Sequence, residues 1–240
     1  MNERINKLLD LGRQFEIVIN DRQAAKLVAY MDKLLEKNRF INLTRITDED
    51  EFMKLHLLDS LSLIRLIKNP RANILDVGTG GGFPGIPLAI VLEEAKITLM
   101  DSTKKKLNVV AELAQELQID NISILHGRAE DFGQDPQYRE QYEVVTSRAV
   151  ANLTLLSEYC LPLTQVGGQF LPMKGKDYAT ELAQAQRPIE ILGGKIIEVK
   201  KGLLLQSEYV HVIIEIEKAK KTPKKFPRLN GKMKKEKFPV

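Results

Sequence analysis

From Asn69 onward the chain alternates short apolar runs with helical ones. NILDVG, KITLMD, ISILHG, YEVVTSRA and GGQFLPMKG each last a few residues and end in turn residues or a charge; PLAIVLEE, KKKLNVVAELAQEL, a short AEDFG stretch and NLTLLSEYCLPL lie between them. Strand, helix, strand in succession predicts a doubly wound α/β sheet, mostly parallel and covered on both faces. Two further runs, GKIIEVKKG and YVHVIIEIEK, are separated by only a few residues around Leu203 to Glu208. That link is too short for a crossover, so they predict an antiparallel hairpin at one edge of a seven-stranded sheet.

Upstream the texture is helical. In residues 21–38, Leu27, Met31, Leu34 and Leu35 recur at i, i+4, i+7 and i+8, with Asn20 or Asp21 available as a cap. After the FINLTRI segment a second helical block runs to about Lys68. Thr47 can cap it, and Asp48, Glu49, Asp50 and Glu51 stand where the helix dipole favours negative charge. The chain thus divides into a helical extension (1–68), a Rossmann-like domain (69–217) and a tail (218–240). With 240 residues, 43% of them hydrophobic, it can bury a substantial core and is not a disordered chain. One cysteine, Cys160, excludes an internal disulfide framework and points to the reducing cytoplasm. The longest apolar run, Ile86 to Leu92, is broken by Glu93 and Glu94, so no membrane span is expected.

The first strand runs directly into TGGGFPGIP, giving Asp76, Gly78, Gly80 and Gly82 a D-x-G-x-G-x-G spacing. Such a turn lets backbone approach a ligand with no Cβ in the way. Gly80, Gly82 and Gly85 also satisfy the G-x-G-x-x-G dinucleotide fingerprint, which alone is weak. A pyrophosphate over this turn would be repelled by Asp76, whereas S-adenosylmethionine carries an ammonium and a sulfonium that a carboxylate attracts. Asp101, at the tip of the second strand, can accept from both ribose hydroxyls of either cofactor. S-adenosylmethionine is therefore preferred over NAD. Ligands of such sheets bind at the carboxyl ends of the strands, so Gly127, Arg128, Ala129, Glu130, Ser147 and Arg148 should complete the pocket, with Ala129 and Glu130 flanking the adenine.

The residues absent from the fourth strand tip narrow the chemistry. It reads SRAVANL and lacks the Asn/Asp-Pro-Pro-aromatic signature of many exocyclic amine methyltransferases. Carbon methylation of a pyrimidine needs a cysteine nucleophile, and Cys160 sits in an apolar helical run as a small buried hydrophobe. A ring nitrogen such as guanine N7 needs positioning and no general base, though ribose methylation stays open. The candidate catalytic residues are Arg148, which matches the guanine edge or the cofactor, and Asn42, beside Thr44 in an irregular segment. His56 and Asp59, at i and i+3, are close enough to hydrogen bond each other and brace the helix at the pocket rim. No metal is expected, because His126 and His211 lack ligand spacing.

The formal charge of +4 is unevenly spread. Residues 218–240 hold ten Lys or Arg and one acid, a local +9, and the remaining residues total −5. Lys220, Lys221, Lys224, Lys225 and Arg228 interleave with Phe226, a combination suited to phosphates and an unpaired base, so the tail is expected to be extended and to meet RNA, with Lys174 assisting from the fifth strand tip. Two other classes stay in view: an NAD-dependent oxidoreductase, and a non-enzymatic RNA-binding protein.

These motifs together resemble the bacterial 16S ribosomal RNA guanine-N7 methyltransferases of the RsmG (GidB) type. The resemblance runs through INLT at 41–44, HLLDS at 56–60, DVGTGGGFPGIPLAI at 76–90, GRAED at 127–131, SRAVANL at 147–153, CLPL, GGQFLPMKG at 167–175 and KTPKKFPR at 221–228. It departs at the C terminus, where Met233 follows Gly231 by two residues in place of a proline. The resemblance implies that Gly78, Phe83, Ala129, Glu130 and Arg148 line the S-adenosylmethionine site. It also implies a guanine in the decoding-region loop as target and 16S rRNA or a precursor small ribosomal subunit as partner. A monomer is expected, with no DNA partner.

Overall fold

The computed structural model describes residues 3–201, 210–235 and 238–239. Helices α1 (Glu3–Gln14) and α2 (Asp21–Asn38) precede a continuous helical stretch built from α3 (Glu49–Phe52), a π turn (Met53–Leu58), α4 (Asp59–Leu61) and a 3-10 turn (Ser62–Arg65). The alternating part follows as β1 (Asn73–Val77), α5 (Gly85–Val91), β2 (Lys96–Asp101), α6 (Lys104–Glu116), β3 (Ile122–His126), α7 (Ala129–Phe132), β4 (Tyr142–Arg148), α8 (Leu153–Cys160) and β5 (Thr164–Lys174). Then come α9 (Tyr178–Ile191), β6 (Gly194–Lys201), β7 (Val212–Lys218) and the short α10 (Asn230–Lys235). The sheet order is β3-β2-β1-β4-β5-β7-β6. The first five strands pair in parallel, and β7 runs antiparallel to both β5 and β6, as the sequence leads one to expect. The link between β6 and β7 lies outside the described residues. No helix among the described residues is long and apolar enough to cross a membrane.

The central strand shows why the sheet is covered on both sides. Ile74 joins the core under α2 and α5, while Leu75 and Val77 join the core under α8 and α9. The N-terminal helices belong to the first of these cores: Leu27, Met31 and Leu34 are fully buried in it, and Leu35 packs at its margin. A capping box fixes the start of α2, with the Asn20 side chain accepting from Gln23 N and the Gln23 side chain accepting from Asn20 N. Tyr30 of α2 donates its hydroxyl to Gly81 O at 2.7 Å, and its ring meets Phe83 edge-on, so α2 buttresses the glycine turn from outside.

Three expectations need correction. The cap of the second helical block is Asp48, whose carboxylate accepts from Glu51 N, so Thr47 lies before it. Helix α9 was not anticipated: it buries only Ala185, Pro188 and Ile189 and carries a proline inside, so its apolar stripe is faint. The tail is not an extended strip. Phe226 is fully buried and stacks on Phe238, with ring centroids 5.0 Å apart, while Arg139 donates to the carbonyls of Phe226 and Thr222.

Candidate active site

The carboxyl ends of β1, β2, β3 and β4 open into a cleft of about 580 Å³ that contains Gly78, Gly80, Phe83, Asp101, Ala129, Glu130 and Arg148. Six of these the residues themselves suggested, and Phe83 the family resemblance implied. Gly78 and Gly80 have φ of +75° and +57°, the left-handed region that this sharp turn requires. Asp101 is held at the strand tip by two backbone donors, Gly80 N to Oδ2 at 3.0 Å and Thr103 N to Oδ1 at 2.8 Å. A carboxylate has about four acceptor sites, so two stay available to a diol. Glu130 is 3% exposed, and its Oε1 has no hydrogen-bond partner although Arg128 approaches to 3.8 Å. Two carboxylates, one holding an orphaned buried oxygen, beside a turn with no side chains, fit a neutral-to-cationic adenosyl ligand better than a pyrophosphate.

Two other residues of the set do not face the cleft. Asp76 is fully buried beneath the turn, where Oδ2 accepts from Thr79 Oγ1 at 2.7 Å and Gly85 N at 2.9 Å and Oδ1 has no partner. It fixes the shape of the turn, and its attraction for a cation acts through the turn rather than by contact. Gly82 (φ +86°) serves packing, since a Cβ there would stand 2.4 Å from the Tyr30 hydroxyl and 2.7 Å from Ile86. A Cβ on Gly80 would meet only Gly78 O, at 3.9 Å. Gly82→Ala is accordingly expected to cost about 2 to 4 kcal/mol of stability through strain and overpacking. Gly80→Ala should lose roughly 1 to 2 kcal/mol and mainly weaken cofactor binding. Denaturant midpoints and cofactor calorimetry separate the two; a Gly82→Ala protein as stable as its parent would contradict this assignment.

At the far wall Arg148 joins three elements. Its NH1 donates to Leu55 O at 2.8 Å and Asp59 Oδ2 at 3.0 Å, and its NH2 donates to His56 Nδ1 at 2.9 Å. Because guanidinium is only a donor, Nδ1 is the unprotonated nitrogen, so Nε2–H donates to Thr44 Oγ1 at 2.6 Å. Thr44 Oγ1 also accepts from Ile46 N, which leaves its own proton for a partner in the cleft that it lines. The His56 ring stacks on Phe83 with centroids 4.4 Å apart. Asp59, 2% exposed, offers Oδ1 to His211 Nδ1 at 2.9 Å. His56 and Asp59 thus meet at Arg148 and not each other; the π turn carries His56, and Asp59 follows it as the first residue of α4.

Burial, helped by the Arg148 charge and opposed by Asp59, lowers the His56 pKa from 6.5 to about 3. Burial raises that of Asp76 from 3.8 to about 6, against the hydrogen bonds from Thr79 and Gly85. Between pH 6.5 and 3 the unfolded chain binds the extra proton at His56, so this contribution to stability is complete above 6.5 and is lost as pH falls toward 3. Asp76 has the opposite sign: its contribution is complete below 3.8 and is lost as pH rises through 6. The two slopes oppose each other in the shared window. Relative to the parent, His56→Gln should gain stability as pH falls from about 6 to about 4, and Asp76→Asn should lose it. Urea midpoints across that range test this, and parallel curves for the parent and His56→Gln would refute it.

A second cavity of about 510 Å³ adjoins the cleft and shares Ile46, His56, Arg148 and Ala149 with it. Leu55, Met173, Val212 and Ile213 supply apolar wall, and Asp59, Lys174, Glu181 and His211 supply polar groups. Lys174 is committed to Glu181 at 2.6 Å and Ala151 O at 2.8 Å, so it shapes this cavity and is no open phosphate contact. Ala149, between the two spaces, is a non-glycine residue at φ +57°. Asn42 is exposed and lines neither cavity; Asn38 holds its neighbours instead, accepting from Leu43 N and Thr44 N and donating to Thr44 O. Of the tail set, Lys220, Lys221, Lys224 and Lys225 are exposed, whereas Phe226 is core and Arg228 is bound to Glu158. Sequence reasoning missed the cleft positions Arg45, Lys106 and Tyr159. Tyr159 was findable, since it neighbours Cys160 on α8 and must point the other way.

Residues 23–209 match the family model described as GidB, rRNA small subunit methyltransferase G. The chain belongs to this family. It is 45% identical over 214 residues to the ribosomal RNA small subunit methyltransferase G of Alkaliphilus metalliredigens, covering 89% of this chain and 90% of that protein. With the protein of the same name from Clostridium botulinum it shares 41% over 234 residues, 97% and 98% of the two chains. Solved structures share the fold at low identity: Pyrococcus horikoshii TYW2 in complex with MeSAdo (TM-score 0.53, 14% identity, 68% of this chain, 63% of that one) and a SAM-dependent methyltransferase from Aquifex aeolicus (TM-score 0.53, 16% identity, 69% and 92%). As a member of the family the protein is an S-adenosylmethionine-dependent small-subunit rRNA methyltransferase, which sets aside the oxidoreductase and the non-enzymatic alternatives.

Proposed function

We propose that the enzyme transfers a methyl group to N7 of a guanine in 16S rRNA, in the decoding-region loop that the family resemblance implies, presented as RNA or within a precursor small subunit. S-adenosylmethionine supplies an electrophilic methyl group on a sulfonium centre. Gly78, Gly80, Phe83, Asp101, Ala129 and Glu130 would hold it in the cleft, and the second cavity would receive the base.

The observation that carries the N7 reading is that, among the described residues, the junction of the two spaces holds no spare base. His56 is neutral, and both of its ring nitrogens are engaged. Both Asp59 oxygens are engaged as well. An exocyclic amine or a ribose hydroxyl must shed a proton on methylation, whereas N7 attacks through a free lone pair and needs orientation alone. Arg148 keeps two of its five N–H groups uncommitted among the described residues, and these can reach O6 while leaving N7 bare. Cys160 lies fully buried with its thiol pushed up by burial, which argues against carbon methylation.

The test is incubation of the pure protein with S-adenosylmethionine and small-subunit RNA or particles, then nucleoside mass spectrometry. The expected product is 7-methylguanosine; methyl on a ribose oxygen or an exocyclic nitrogen would overturn the N7 reading.

A further inference from the structure

Phe40, at the end of α2, is 84% exposed, while its sequence neighbours Ile41 and Leu43 pack into the core. It is the sole aromatic among the large exposed hydrophobic side chains of the described residues. Water-exposed phenylalanine gains nothing for the fold, and the segment that carries it is rigid. Phe40 N and Ile41 N both bond to Lys37 O, and the Asn38 side chain locks Leu43 and Thr44 by three hydrogen bonds. Its flanks are cationic. Arg4, Lys7, Arg13, Arg22, Lys33, Lys37, Arg65 and Lys68 all pair with acids. Arg39 and Arg45 are exposed and, like Lys26 and Lys54 of the same helical region, have no ion pair among the described residues; of these four only Arg39 and Arg45 flank Phe40. Arg45 also lines the cofactor cleft, and Lys106 and Arg128 stand on the same cleft.

We infer that Phe40 is a stacking platform for an unpaired nucleotide beside the target guanine, with Arg39 and Arg45 taking the flanking phosphates. An exposed ring set between unneutralised arginines matches looped RNA, which offers π faces and phosphates together. It matches a protein groove poorly, because two unpaired guanidinium groups would have to be desolvated. With the backbone already held, binding has to order only the ring's own two side-chain torsions. The inference rests on the rRNA reading above, and it replaces Phe226 by Phe40 as the base-stacking aromatic.

Equilibrium binding of the full-length protein to a fluorescein-labelled hairpin bearing the decoding-region loop, and to precursor small subunits, tests it. Phe40→Ala should weaken hairpin binding by roughly 5- to 150-fold, and Phe40→Trp should retain it. Arg39→Ala should flatten the salt dependence by roughly 0.7 log units. S-adenosylmethionine affinity and melting temperature of Phe40→Ala should match the parent. If the parent binds and methylates the hairpin and Phe40→Ala binds it equally well, the platform is refuted while the enzymatic reading stands. Loss on the particle alone would assign Phe40 to a ribosomal protein, and a Phe40-dependent dimer in sedimentation would assign it to self-association; either overturns the inference. A parent that binds no RNA in either form would refute both readings.

Discussion

Arg148→Lys is expected to lower kcat/KM by roughly 100-fold or more, the scale on which single preorganised donors act in active sites. The guanidinium reaches Leu55 O, Asp59 and His56 Nδ1 at once. An ammonium is a compact charge with no fork, so it can satisfy one or two of these partners and none of the planar geometry toward a base edge. His56 would then lose the donor that fixes its tautomer, and with it the orientation of Thr44. Arg148→Met goes further. It leaves Asp59, 2% exposed, with His211 as its one remaining ion-pair partner among the described residues, and breaking a buried pair costs about 3 to 5 kcal/mol. Steady-state kinetics should show the larger change in kcat for the lysine variant, and thermal melting should separate the methionine variant from it. A lysine variant with parental kcat would remove Arg148 from the reaction and leave it a structural tie.

This cluster also marks where sequence reasoning reached its limit. The strand tips were legible, because parallel strands separated by helices can place Gly78, Asp101, Ala129 and Arg148 only at one end of the sheet. The direction of a side chain within a turn was not. Asp76 and Gly82 share the periodicity of Gly78 and Gly80, yet the last residues of β1 bury Asp76 under the loop and the turn sets Gly82 against Tyr30. Arg148 lies 92 and 89 residues from His56 and Asp59, and only the packing of the π turn and α4 against β4 brings it to them. His211 arrives from the start of a strand on the antiparallel side of the sheet, and no local pattern reports that.

In the tail the same gap concerns burial, and it has an energetic consequence. A count of charge sees ten bases in 218–240 and cannot tell which are solvated. Lys218 is fully buried, donating to Leu161 O and Thr222 Oγ1, and burial lowers its pKa to about 8 despite Glu140. Arg228 places its backbone N and Nε on Glu158 Oε1 at 2.8 and 2.9 Å and its NH2 on Oε2 at 2.8 Å. Phe226 fills the core over α8 and α9. Phe226→Ala should therefore cost about 3 to 5 kcal/mol, which for a chain of this size is a fall of roughly 10 °C in Tm. Glu158→Ala should also lower stability, because it removes the buried carboxylate on which Arg228 places three hydrogen bonds. The exposed pair behaves differently. Replacing Lys224 and Lys225 together with alanine should leave Tm unchanged and flatten the salt dependence of RNA binding by roughly 0.7 log units per lost contact. Scanning calorimetry and salt titrations on the three proteins decide the matter. Were Phe226→Ala to melt with the parent and lose RNA affinity, the ring would belong to the RNA interface, and docking of the tail onto the catalytic body would not be what it contributes.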